Sequence, residues 1–200
     1  MSKRDEIIAA AIRLAEGSQP GHANLSVRAV AKEAGVGPST LRHYFPTQSD
    51  LHEAVMRRAF DTVVNDFSIS DTTVSPADRL YECCAQFLPN HEHRDLQLEA
   101  WFGMHLHALG PERRGVSHRL LEHAHEITYD ALHRWLNQLA REGHIDPDAV
   151  KPAATLLFTT IDGLSLHAII KPETTTVDVI HEQIKWTIDE LLRPERHGEP

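Results

Sequence analysis

The sequence predicts an all-α protein: an N-terminal three-helix helix-turn-helix domain followed by a larger C-terminal helical domain. Three observations lead there. Apolar residues recur at three- and four-residue spacing in nearly every segment, the signature of one buried helix face. No run alternates apolar and polar residues as a half-buried strand would, and no internal repeat is visible. Caps, glycines and prolines punctuate the chain at helix-length intervals. The 200 residues are 41% hydrophobic and 24% charged, an ordinary globular balance with material for a core.

The first helix is announced by Ser2, with Asp5 three residues on as a capping box, and by Ile7, Ile8, Ala11, Ile12 and Leu14 at helical spacing. Gly17 and the Ser-Gln-Pro-Gly run at 18–21 end it. Ser26 caps a short second helix with Val27, Val30, Ala31 and Ala34 on its apolar face, and Gly35 supplies its stop. Only Val36 and Gly37 intervene before Pro38, which fits the first position of a third helix ending before Pro46. Thr47 and Asp50 cap a long fourth helix through Leu51, Val55 and Phe60. This places one domain at 1–48, a connecting helix at 48–67, and a second domain at 68–200. Further helices are expected at 77–87, 96–108, 116–141, 153–170 and 177–192, with Pro147, Pro152 and Pro172 as punctuation.

The stretch LSVRAVAKEAGVGPSTLRHYFPTQSDL (25–51) carries the chemistry. Two short helices joined by a tight glycine-containing turn are what a helix-turn-helix requires, the first bracing on the DNA backbone and the second entering the major groove. Ser26, Arg28, Pro38, Ser39, Thr40, Arg42, His43, Tyr44 and Gln48 are the candidate DNA-binding residues. Ser39 and Thr40 suit phosphates or base edges, Arg42 can fork onto guanine or a phosphate, and Arg28 suits a phosphate. A helical hairpin in a core is the competing reading, but a core would not want the polar ridge of Ser39, Arg42 and His43.

With these residues in view, the chain resembles the TetR family. The resemblance rests on a first helix, then Ser26-x-Arg28, Ala31-x-x-Ala34-Gly35-Val36, Thr40-Leu41-x-x-Tyr44-Phe45 and Asp50-Leu51. It is tight over about residues 5–55. It implies a homodimer with two DNA-reading heads on a palindromic double-stranded operator, and a C-terminal domain that releases DNA when a small-molecule effector fills it. The family commonly has an aromatic where this chain has Arg42 and a lysine near Gln48. That difference implies one phosphate contact fewer, with Arg42 standing in.

For the second domain, helices 153–170 and 177–192 are expected to form a four-helix dimer bundle with their symmetry mates. The interface candidates are Leu156, Leu157, Thr160, Leu164, Ile180, Ile184, Thr187, Ile188 and Leu191. Trp101, Phe102, His105, Tyr129, Leu132, His133, Phe158, Asp162 and His167 mix aromatic surface with a few polar groups, as ligand pockets do. Asp162, a carboxylate in an apolar helix, needs a partner if buried. A ligand, a neighbouring histidine or a helix-end contact could serve, and a structural contact is the leading reading.

Eleven of fifteen histidines lie between His91 and His181, and His118, Glu122 and His125 share a helical face. Surface or singly bonded histidines are the commoner outcome, so no metal or other cofactor is assigned. Adjacent Cys83 and Cys84 form no disulfide framework and read as small buried residues of a cytoplasmic protein. The apolar stretch Ala153–Ile170 is broken by Asp162 and His167, so it is read as a buried helix rather than a membrane span. No secretory leader is read at the start.

The net charge of −9 divides unevenly. Residues 1–60 carry eight Lys/Arg against six acids (+2), and the remainder twelve against twenty-three (−11). Screening beyond roughly 8 Å lets a mildly basic head bind phosphate despite an acidic body. No nucleophile elbow, HExxH or phosphate-cradling glycine loop is present, so a metal-assisted hydrolase finds no support.

Overall fold

The computed structural model describes residues 2–16, 26–110 and 115–193. The turn expected at 17–21 lies outside the described residues, as does the Phe60 side chain. Helices α1 (Lys3–Glu16), α2 (Val27–Glu33), α3 (Pro38–Tyr44), α4 (Gln48–Val63), α5 (Pro76–Ala85), α6 (Arg94–Leu109), α7 (Val116–Arg141), α8 (Val150–Ile170) and α9 (Val177–Leu191) follow in order, with a 3-10 turn at Pro147–Ala149. Among the described residues there is no strand. The chain divides into two compact units, Met1–Val63 with Ala108–Ala124, and Val64–His107 with His125–Pro200. The inclusion of 108–124 in the first unit differs from the continuous second domain expected at 68–200.

In the first unit, local chemistry sets each boundary. Ser2 and Asp5 exchange bonds at the start of α1 (3.2 and 3.0 Å), and Thr47 and Asp50 do the same before α4 (3.1 and 2.9 Å). Ser26 Oγ accepts from Ala29 N–H at 3.3 Å. After α2, Gly35 N–H bonds Lys32 O and Val36 N–H bonds Ala31 O, the paired reverse bonds of a Schellman stop. Gly35 takes φ +63°, where a Cβ would be strained. Ile7, Ile8, Ala11, Val30, Ala31, Leu41, Phe45, Leu51, Ala54 and Val55 form the core of this unit. Each fully buried Ile, Leu or Phe there contributes about 1.5–3 kcal/mol.

The first turns of α7 are tied to α4 by charge. Arg119 donates to both oxygens of Glu53 (Nη2 to Oε2 2.6 Å), Arg57 Nε also reaches Glu53 (3.2 Å), and Arg57 Nη2 caps Arg119 O. The Arg119 guanidinium, and secondarily Arg57, hold the Glu53 carboxyl below the usual carboxylate range. A carboxyl depressed in the folded state stabilises above its ordinary pKa, and the benefit is lost as pH falls through the depressed value. Glu53→Gln should therefore lower the melting temperature at pH 7 by about 2–4 °C, with the gap to wild type closing on acidification towards pH 3. A gap independent of pH would refute this account.

In the second unit, α9 packs on α5 and α8. Leu80, Cys83, Cys84, Leu132, Trp135, Leu136, Leu139, Leu157, Ile161, Ile180, Ile184 and Ile188 belong to one core. Trp135 Nε1 is satisfied by Asp66 at 2.7 Å. Gly143 (φ +82°) closes α7 with the same paired bonds as Gly35. Arg79 is 1% exposed yet charged; it donates to Ile69 O (2.6 Å) and twice to Glu142. Both cysteines are buried. Burial pushes the Cys83 thiol up to about 12 and raises Cys84 further.

The buried-helix reading of 153–170 needs a correction. By length and composition Pro147–Ile170 is apolar enough to cross a membrane. In this fold Val150, Ala153, Ala154, Leu157, Ile161, Ser165 and Ala168 of α8 enter the core, while Leu156, Leu166 and Ile170 stay exposed. One face is buried and the other is not.

Candidate functional site

Helix α3 is anchored by Leu41 and by Phe45 just past its end, both essentially inaccessible. Anchoring on that side turns Ser39, Thr40, Arg42, His43 and Tyr44 outward, all exposed. His43 and Tyr44 meet edge-on with ring centroids 5.2 Å apart, which fixes two donors side by side. The N-cap of α3 is Gly37, and no side chain caps the first turn. Pro38 at the first position has no N–H to satisfy and sets φ for the helix. Arg28 on α2 and Gln48 at the start of α4 are also exposed. Ser26, half-buried, accepts the capping bond of α2 from Ala29 N–H, as its place ahead of that helix suggested. Lys32, exposed on α2 beside Arg28, is a cation that motif reading passed over; its spacing of four from Arg28 was the available signal.

Residues 7–55 match the family described as bacterial regulatory proteins, tetR family, and residues 76–193 match the C-terminal domain of the BetI-type transcriptional repressors. The chain belongs to the TetR family. It is therefore a helix-turn-helix transcriptional regulator and not an enzyme. It is 25% identical over 175 residues to the HTH-type transcriptional regulator PksA of Bacillus subtilis (strain 168), covering 86% of this chain and 82% of PksA. A TetR-family regulator from Rhodococcus sp. shares the fold with a TM-score of 0.58 at 21% identity, covering 95% of this chain and 98% of that one. The multidrug binding protein EbrR, solved with proflavin, aligns with a TM-score of 0.53 at 25% identity over 93% and 99% of the two chains.

TetR-family regulators bind operators as dimers and take small-molecule effectors, so the expected interface and effector residues bear directly on function. The structure revises the interface set. Leu157, Ile180, Ile184, Thr187 and Ile188 are buried within their own subunit, and Leu164 and Leu191 pack against the same core. The apolar stripe of α9 is spent on α5 and α8, so it cannot also face a partner. Leu156 (48% exposed) and the half-buried Thr160, Leu164 and Leu191 keep surface available. Val179 and Trp186 (58% exposed), seven residues apart on α9, are the outward residues the sequence reading missed.

The expected effector residues separate in the same way. Trp101 lies against His105 (centroids 4.2 Å) and Tyr129 stacks on His133 (6.4 Å). Phe158 meets His125 (4.4 Å) and Tyr129 (6.4 Å) edge-on. Asp162 lies within the electrostatic reach of His105 and His125. Leu132, with no accessible surface, is core rather than pocket wall. His167 is exposed on α8 beside Leu166, and Phe102 is half-buried with no ring partner among the described residues. His125, one turn from Tyr129, joins this ring group through Phe158, a contact the sequence reading did not anticipate. Among the described residues no three His, Cys, Asp or Glu side chains converge as metal ligands; His118 pairs with Glu122 (3.4 Å) and His125 lies on Phe158 instead.

A separate cleft of ≈ 440 Å³ opens in the first unit, floored by Ile8, Ala9, Ile12 and Ala54. Its charged rim is self-paired in part, with His123 bonded to Asp61 at 3.0 Å and Arg57 to Glu53.

Proposed function

We propose that this chain is a ligand-responsive cytoplasmic repressor that leaves a palindromic operator when a small molecule occupies its C-terminal domain. The exposed polar ridge of α3 on its two buried anchors supports the DNA half of this reading more than any other observation. Ser39, Thr40, Arg42, His43 and Tyr44 contact the major groove, while Arg28, Lys32 and Gln48 meet phosphates. Pro38 and Ser26 shape the two helices and touch little. Two-fold symmetry comes from Leu156, Thr160, Val179 and Trp186, residues of α8 and α9 that their own core leaves accessible. The proflavin complex of EbrR supports a small molecule as the effector of this fold.

Protection of the DNA flanking the gene tests the reading. A protected site should be a palindrome with half-site centres roughly 34–36 Å apart, occupied by a dimer. Trp186→Glu should yield a folded monomer that protects the site only at far higher concentration. Protection of a single asymmetric half-site, or dimerisation untouched by Trp186→Glu, would reject the respective half of the proposal.

A further inference from the structure

The cleft of ≈ 440 Å³ lies wholly within the first unit, lined by α1, α4 and the first turns of α7. Its volume is within the range of small-molecule sites. Two of its four floor residues are alanines, Ala9 and Ala54, which leave room that a longer side chain would fill. Of the groups on its rim, the two carboxylates are already engaged. Asp5 is held by the Ser2 hydroxyl (2.7 Å) and backbone N–H (3.0 Å), which keep its carboxyl below the usual range. Asp61 is bonded to His123 at 3.0 Å. Arg57 is committed to Glu53 and to Arg119 O. Arg4 differs. It makes no ion pair among the described residues, and its guanidinium rests over the Phe45 ring, 5.2 Å from the centroid.

A cation entering this cleft would meet Arg4, Arg57 and Arg58 at its rim. A neutral apolar molecule would cover the floor and leave Arg4 where it is. An amphipathic anion would gain from both, with its apolar body on the floor and its charge on Arg4. We infer that the cleft is a second ligand site, which takes an organic carboxylate on an apolar body and holds it through Arg4. A bidentate guanidinium–carboxylate pair is stronger than an exposed cation–π contact, so the ligand draws Arg4 off Phe45. Phe45, 1% exposed, anchors the end of α3. Occupancy of the cleft thereby reaches the DNA-reading helix. The site is separate from the effector site of the C-terminal domain, and only its effect on DNA rests on the reading of α3 given above.

The test titrates the full-length protein calorimetrically with 2-naphthoate and its neutral isostere 2-naphthamide at constant ionic strength. The anion should bind about fivefold or more tightly than the amide. Arg4→Gln, a change at an exposed position, should erase that preference and leave the amide unchanged. Ala9→Leu fills the floor with a side chain that suits a helix, and should abolish binding of both probes at an unchanged melting temperature. Saturating 2-naphthoate should also weaken operator binding by about fivefold in wild type, and not in Arg4→Gln, each measured against its own ligand-free value. Equal affinity for the two probes in wild type would overturn the anion assignment. Binding untouched by Ala9→Leu would place the ligand elsewhere and overturn the site, as would failure of both probes to bind. Binding that responds to both variants while operator affinity stays constant would refute the link through Phe45 and leave the site standing.

Discussion

A protein with Arg42 and Tyr44 both replaced by alanine is expected to lose operator affinity by about 10²-fold or more at fixed salt. Each direct contact to a base edge is worth about 1–3 kcal/mol, and a two-fold dimer loses it in both half-sites. Both side chains are exposed on α3, while Leu41 and Phe45 hold the helix in place. The far-ultraviolet spectrum and melting temperature should therefore match wild type. Arg28→Ala, a phosphate contact, should weaken binding to all sequences alike and flatten the salt dependence, because fewer counterions are released. Fluorescence anisotropy against the operator and a scrambled duplex separates the two effects. Operator affinity unchanged in the Arg42/Tyr44 variant would mean that α3 does not read this DNA.

Glu142→Ala is expected to cost about 3–5 kcal/mol of stability, since it strands the Arg79 guanidinium in the core. Arg79 is 1% exposed, and its Nη2 donates to Glu142 Oε2 at 2.6 Å. Gln138 also donates to Glu142 Oε1, at 2.7 Å, so the deletion empties two donors at once. Arg79→Met, which removes the charge and keeps the volume, should be milder. The Arg79 guanidinium, with Gln138, holds the Glu142 carboxyl below its usual range. Its stabilising contribution is accordingly full above the ordinary carboxylate pKa and declines as pH falls through the lowered value. Chemical denaturation at pH 7 measures the cost; a loss below that of Arg79→Met would show that the pair is not what holds this arginine.

The sequence made the helix boundaries legible because caps and breakers are local chemistry. Ser2 with Asp5, Thr47 with Asp50, Pro38 and Gly35 each act within four residues of themselves, and the structure uses them as read. The DNA-reading residues were legible for a related reason: α3 is short, and Leu41 and Phe45 fix which side faces out. What a stripe packs against is non-local, and there the reading of the sequence fell short. Ile180, Ile184 and Ile188 mark an apolar face equally well whether it meets its own core or a second subunit. Trp186 was overlooked because it lies off that stripe. The same limit applies to Asp162, which makes no hydrogen bond or ion pair among the described residues, so the structural contact read for it is missing. That shows only once α6, α7 and α8 are placed in space. The assignment of 108–124 to the first unit depends on pairs such as Arg119 with Glu53, 66 positions apart, which no pattern in the chain signals.

The concealment of Cys83 and Cys84 has a practical consequence. A maleimide reacts with thiolate, and a thiol held at about 12, as Cys83 is, supplies almost none at neutral pH. These are the only cysteines in the chain, so it comes silent towards thiol-directed labels without any being removed. A single cysteine introduced at an exposed position outside the DNA-reading and dimer residues, such as Lys3 or Thr72, would then carry a fluorophore or spin label alone, ready to report distances within the dimer on and off DNA.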